Sequence, residues 1–216
     1  MAQKFAVSGQ HYLFDVQAFA HTILALGGEE YSYALRDRTT RGVIADVVEG
    51  RSEVGVLMRN TRTAADIDRE IEAAGLEFHE LATSKPRVAL PASHPLSNAT
   101  SLTPDQLADW PYVYFEQEDG APDYLAEEAL GDLPHAKSIA LTDRASLSEL
   151  AVAMNGYTFT SGILVGITDG GSLTTIPLES DVELSLGYIT RADEELSPIA
   201  QRFVEKLARS LELYAK

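Results

Sequence analysis

The chain has 216 residues and no cysteine, with 33 acidic and 17 basic residues for a formal net charge of -16. That length suits one large domain or two small lobes, the lack of thiols excludes disulfides and thiolate chemistry, and so acidic a surface repels nucleic-acid phosphates and anionic membranes. No run of about 18 apolar residues offers a transmembrane helix, and residues 1–8 lack the apolar core of a secretory signal.

Short apolar strands alternate with amphipathic helical segments, which predicts a parallel or mixed sheet covered by helices. Phe5-Ala6-Val7 reads as a strand ending at Ser8-Gly9. A helix follows, with Val16, Phe19, Ala20, Ile23 and Leu24 on its inner face and Gly27-Gly28 as its stop. Residues 31–35 form a second strand. Thr39 or Thr40 caps the next helix, whose stripe is Val43, Ile44, Val47 and Val48 and which Gly50 ends. Residues 54–58 are a third strand, and a helix opened by Asp66 and closed by Gly75 leads into an extended segment, 76–83, that crosses to a second lobe.

Strand 87–90 opens that lobe, and Thr103-Pro104-Asp105-Gln106 is a capping box with proline at the first helical position. Strand 112–115, a helix over 123–130 and strand 138–141 follow. Asp143 caps a helix with Leu147, Leu150, Ala151 and Met154 inward, and residues 157–161 are short and extended. Strands 173–176 and 184–189 come last, the second returning the chain to the first lobe, before Ser197-Pro198 starts a helix with Ile199, Phe203, Leu207 and Leu211 inward. The halves repeat in kind, with no flexible linker between them. Open α/β sheets bind ligands beyond the carboxyl ends of their strands, which points to Ser8-Gly9-Gln10, Thr39-Thr40, Arg59, Phe115-Glu116-Gln117, Thr142 and Thr160-Ser161.

Five segments resemble the effector-binding domain of LysR-type bacterial transcriptional regulators. Phe5-Ala6-Val7-Ser8-Gly9-Gln10 is similar to the family's opening strand and helix start, and Val48-Glu49-Gly50-Arg51-Ser52-Glu53-Val54-Gly55-Val56 to its helix–glycine–strand unit, with Glu53 where aspartate is usual. Arg87 to Leu96, including His94-Pro95-Leu96, and Leu102 to Pro111 resemble the opening of its second lobe. Leu186-Gly187-Tyr188-Ile189-Thr190 through Ser197-Pro198 resembles the return strand and last helix. The likeness implies a periplasmic-binding-protein-like (type 2) α/β fold, with two Rossmann-like lobes joined by two crossing strands. The first lobe would comprise residues 1–83 plus 188–216 and the second 84–187. Family members normally begin with a basic winged helix-turn-helix, which these 216 residues do not contain; DNA would then be reached only through that absent N-terminal domain.

Ser8, with the N–H groups of Gly9 and Gln10, is a candidate anion corner, against an ordinary helix cap. Thr40 occupies the matching corner of the next strand–helix turn. Arg59 is the candidate partner of an anionic effector, against a solvated loop arginine; Arg36, Arg41 and Arg144 are weaker candidates. Thr158, Thr160 and Ser161 make an unusually polar strand whose hydroxyls need partners, and Phe115 lines the second-lobe wall or belongs to the core. His94 reads as structural and His11 as solvated or capping. The pairs Glu29-Glu30, Glu127-Glu128 and Glu194-Glu195 read as solvent-facing. No G-x-S-x-G elbow or P-loop occurs, and residues 166–171 lack G-x-G-x-x-G spacing, so an enzyme has no positive support and no cofactor or metal is expected. The leading reading is a cytoplasmic ligand-sensing domain that takes a small, anionic effector between its lobes and assembles as a homodimer or tetramer. By resemblance, Phe14, Gln17, Ala18 and His21 lie near the surface between subunits. The alternatives are the solute-binding protein of a transporter and a small-molecule enzyme on the same fold.

Overall fold

The computed structural model describes residues 3–26, 29–163 and 172–214. The proposed helix stop at Gly27-Gly28 and the glycine run at 166–171 lie outside them. Ten strands and six helices alternate among the described residues: β1 (Gln3–Gly9), α1 (Leu13–Leu26), β2 (Tyr31–Asp37), α2 (Thr40–Val48), β3 (Val54–Asn60), α3 (Ala64–Ala73), β4 (Leu76–Ser84), β5 (Arg87–Pro91), α4 (Pro104–Leu107), β6 (Tyr112–Phe115), β7 (Ser138–Leu141), α5 (Arg144–Ala153), β8 (Thr158–Thr160), β9 (Leu173–Pro177), β10 (Leu184–Arg191) and α6 (Pro198–Tyr214).

The first lobe is built on a five-stranded sheet ordered β2-β1-β3-β10-β4. β1 runs parallel to β2 and β3, and β10 pairs antiparallel with both β3 and β4. The second lobe has β8-β5-β9 and the parallel pair β6-β7, joined where Tyr112 bridges Tyr157 and Val113 N–H donates to the Tyr157 carbonyl at 2.8 Å. Two crossings join the lobes, β4 into β5 and β9 into β10.

Burial explains the residue choice. β3 lies between strands with both faces covered, so it is a near-continuous apolar run whose Val54, Val56, Leu57 and Met58 are buried. β2, at the edge, buries no residue fully. On one face α6 and α1 pack together, with Phe203, Leu207 and Leu211 against Phe5, Val7, Phe14 and Ala18. On the other, Val43, Ile44 and Val47 of α2 meet Ile67 and Ile71 of α3. The capping box at Thr103 forms, with Gln106 Oε1 accepting from Thr103 N at 2.8 Å. Glu53 serves the fold: its carboxylate accepts from Ser197 N at 2.6 Å and Ser197 Oγ at 2.8 Å, pinning the start of α6 to the lead-in of β3.

Three expectations are corrected. In α1 the buried residues are Phe14, Asp15, Ala18 and Thr22, while Leu24 is 80% exposed. The helix is apolar nearly all round, so its periodicity could not select the face that α6 covers. In α2 and beyond the end of α5 respectively, Val48 and Met154 are exposed rather than inward. The helix expected over 123–130 is a single 3-10 turn, Asp123–Leu125. Pro122 precedes it and Leu130 has a φ of 60°. Local helix propensity gives way here to tertiary contacts: Leu125 is buried in the α2–α3 core of the opposite lobe, and Glu127 and Glu128 turn inward.

Candidate ligand-binding site

A cavity of about 590 Å³ lies between the lobes. Its walls come from the carboxyl ends of the parallel strands in both. His11, Tyr12 and Leu13 follow β1 and Asp37 ends β2, while Phe115 ends β6 and residues of the 143–149 segment carry the chain from β7 into α5. Ala89, Thr158, Phe159 and Thr160 form the floor on β5 and β8. This is where twisted α/β sheets leave a crevice.

The turn between β1 and α1 meets the second lobe directly. His11 N–H donates to Glu127 Oε2 at 2.9 Å, and His11 Nδ1 lies 2.8 Å from Glu127 Oε1. The Tyr12 hydroxyl donates to the Glu127 carbonyl at 2.9 Å, and the His11 ring stacks on Phe115 with centroids 4.0 Å apart. Burial disfavours the His11 imidazolium, but the hydrogen bond and charge of Glu127 outweigh it and raise its pKa above the ordinary histidine value. Arg144, at the start of α5, donates to Asp37 at 2.8 Å and reaches Asp15 at 3.8 Å. Asp15 is fully buried; burial lifts its pKa to about 7 despite the nearby Arg144. Glu128 is 6% exposed, accepts from Phe115 N at 2.8 Å, and has no hydrogen-bond partner at Oε2 among the described residues. Burial first, and then the Glu127 charge, raise its pKa far above the carboxylate range.

Of the nine residues singled out in the sequence, Phe115, Thr158 and Thr160 line this cavity. The other six do not. β1 continues through Gly9, so Ser8 lies inside the sheet and not at its corner. Its hydroxyl donates to Asp46 at 2.6 Å and lies 2.8 Å from Ser52 Oγ. Burial would raise the Asp46 pKa, but hydrogen bonds from Ser8 and Arg51 hold it below the usual value. Gly9 abuts the Asp15 carboxylate where a Cβ would stand. Gln10 is buried, giving its Nε2 to Thr40 Oγ1 at 2.5 Å and taking Met58 N at 2.7 Å. Thr40 sits at the matching corner, but the second lobe fills it: Thr40 N donates to Gln117 Oε1 at 3.0 Å and Thr40 Oγ1 to the Leu125 carbonyl at 2.7 Å. Arg59 pairs with Asp68 of α3 and lies over the Phe78 ring, away from the cavity. Ser161 is buried beyond the end of β8, its Oγ accepting from Ile163 N at 3.3 Å.

Reading Glu127-Glu128 as solvent-facing is likewise overturned: both are buried, because the segment is not the helix whose outer face would have carried them. Glu29-Glu30 and Glu194-Glu195 are exposed. His11 and Arg144, weak candidates in the sequence, are central. The locally legible signal was the Asp143 cap, whose carboxylate accepts from Ser146 N at 3.0 Å and thereby places Arg144 one residue into α5. His94 packs at 4.2 Å against Trp110, and its Nδ1 accepts from Leu96 N at 3.1 Å, holding the turn that opens the second lobe. No helix among the described residues is long and apolar enough to cross a membrane.

Comparison with known proteins places this architecture. The family model described as the LysR substrate binding domain matches residues 31–212. No curated protein sequence matches the chain. Among solved structures, HinK, a LysR family transcriptional regulator from Pseudomonas aeruginosa, superposes with a TM-score of 0.66 at 15% identity, covering 97% of this chain and 71% of that one. The regulatory domain of NMB2055 (MetR), a LysR family regulator from N. meningitidis, gives 0.66 at 9% identity, over 99% of this chain and 95% of that one. The effector binding domain of QuiR in complex with shikimate gives 0.65 at 10% identity, over the full length of both.

Proposed function

Since the chain belongs to the LysR substrate-binding domain family, we propose that it senses a small molecule held in the inter-lobe cavity and converts occupancy into a change in the angle between its lobes. The cavity carries this reading, with walls drawn from both sheets at the carboxyl ends of their strands. The lobes meet through replaceable polar contacts: His11 with Glu127 and Arg144 with Asp37 at the cavity, and Arg62 with Asp132 at 2.5 Å outside its lining. A ligand that binds one lobe arrangement better than the other shifts the balance by that difference in affinity. In this reading the lobes comprise 1–83 plus 188–216 and 84–187, the site performs no catalysis, and the domain acts in the cytoplasm on transcription through a DNA-binding partner domain. The solved QuiR domain with shikimate lends support to ligand sensing over transport or enzyme roles.

A thermal-shift screen against metabolites tests it. A ligand at about 100 times its Kd should stabilise the native chain by about 2.7 kcal/mol, and a Thr160→Trp variant, which fills the floor of the cavity, should lose the effect. Stabilising ligands that bind Thr160→Trp equally well would place them elsewhere and defeat the reading.

We also propose self-association through the outer end of α1 and the edge strand β2. Leu24, Leu26 and Tyr31 are exposed there by 80%, 40% and 49%. Phe14 and Ala18 belong instead to the core, while Gln17 is half-buried and accepts a hydrogen bond from Ser210 at 2.7 Å and His21 is exposed. Leu24→Glu should shift the oligomer toward monomer in light scattering without lowering the melting temperature of the monomer; an unchanged mass would exclude this surface.

A further inference from the structure

The cavity has a charge opposite to the one expected from a strand–helix anion corner. Its lining contains four carboxylates, from Asp37, Glu127, Asp143 and Glu149, and the carboxyl of Glu128, whose burial favours the neutral form, against the single guanidinium of Arg144 and the imidazole of His11. Resting on the effector-site reading above, we propose that the molecule bound here carries a positively charged nitrogen, an ammonium or amidinium group, on an apolar body.

Each position that would hold an anion is already taken by a carboxylate of the chain. The start of α1 is occupied by Glu127, which accepts from His11 N at 2.9 Å and neutralises the imidazole beside it. The first turn of α5 is satisfied by its own cap, Asp143. Arg144 is held between Asp37 and Asp15. An incoming carboxylate would have to displace one of these and add its charge to a lining already rich in negative charge, at an energetic cost that a low-dielectric crevice magnifies.

Two buried atoms of the lining have no hydrogen-bond partner among the described residues: Arg144 Nε, whose guanidinium is already paired with Asp37, and the acceptor Glu128 Oε2. Glu128 lines the cavity, is more than nine-tenths buried, and has no hydrogen-bond partner at Oε2 among the described residues. Buried polar atoms are almost always partnered, and exceptions mark functional positions. A cationic nitrogen at that oxygen would supply a donor and favour ionisation of a carboxyl whose burial otherwise favours its neutral form. Phe115, Phe159 and Tyr12 add aromatic surface that suits both the cation and an apolar body. The cavity volume of about 590 Å³ is that of a small-metabolite site.

Three probes on one scaffold separate the possibilities: phenethylammonium, 2-phenylethanol and 3-phenylpropionate, each titrated into the 216-residue chain and followed by the backbone amide resonances of Phe115, Glu128 and Thr160. Phenethylammonium should bind about ten-fold or more tightly than 3-phenylpropionate at near-neutral pH and moderate salt, with the alcohol between them. Glu128→Gln, which keeps the acceptor for Phe115 N, should weaken the ammonium about ten-fold and leave the alcohol unchanged. If 3-phenylpropionate perturbs the same amides at lower concentration, the charge assignment is overturned while the cavity stands as the effector site. If none of the three perturbs them, the cation proposal fails, and the metabolite screen with Thr160→Trp decides the site by itself. The wild-type comparison is decisive even if Glu128→Gln does not fold.

Discussion

Gly187→Ala is expected to cost the native chain about 2–4 kcal/mol, a fall in melting temperature of roughly 5–15 °C for a domain of this size. The residue sits in β10, the return crossing, where the pairing with β4 shifts register between Leu186 and Gly187. A Cβ there would stand 2.2 Å from the His79 carbonyl oxygen and 2.7 Å from the Phe78 ring. The oxygen belongs to backbone and cannot rotate away, so the strand pair itself would have to part. β4 and β10 hold both crossings in register, so the loss should be accompanied by broadened amide signals at Ser84 and Leu184, where the crossings begin. A variant melting within 2 °C or so of wild type would show that the bulge absorbs a methyl group and that the close approach carries no energetic weight.

The second large effect depends on pH. Asp15 has a folded-state pKa of about 7 against an ordinary value of 3.8, because burial penalises its charge more than Arg144 compensates. An acid with a raised folded pKa binds more protons folded than unfolded. Its contribution to stability is therefore complete below the unfolded pKa and declines as pH rises through the folded value. Between about pH 5 and pH 8 that decline amounts to about 2–3 kcal/mol. Asp15→Asn removes the titration and keeps the shape. Relative to wild type, it should be more favourable at pH 8 than at pH 5 by that same amount, as read from denaturant midpoints. Comparing variant with wild type cancels the titrations that do not act on Asp15, among them Glu128 and the two histidines whose pKa burial lowers, His94 and His135. A difference independent of pH would mean that Asp15 is ionised throughout, with Arg144 as a full counter-charge.

Much of the fold was readable locally because its elements are set by local chemistry. The apolar runs of β3 and β5, the Thr39 and Asp143 caps, the Thr103 capping box and the α6 stripe each lie within one turn, one strand or one helix, where side-chain period and capping geometry decide the outcome. Two lobes with two crossings follow from their order. The inter-lobe cavity was legible in kind, since β1, β6 and β7 end where a crevice had to form, and its lining includes Phe115, Thr158 and Thr160. Its details were not. Extending β1 by two residues moved Ser8 and Gly9 from the corner into the sheet, and the alternation of strand faces turned Arg59 toward Phe78 and Asp68.

Local chemistry set the α/β class, most of the helix starts and the crossing strands, because each depends on residues within a few positions of one another. What fills the cleft was settled by contacts between residues far apart in the chain. Glu127 reaches His11 across 116 positions, Thr40 meets Leu125 across 85, and Arg144 finds Asp37 across 107. A helix-prone segment became an inward-facing loop because these long-range partners outweighed its local preference, and no periodicity in the chain records that balance.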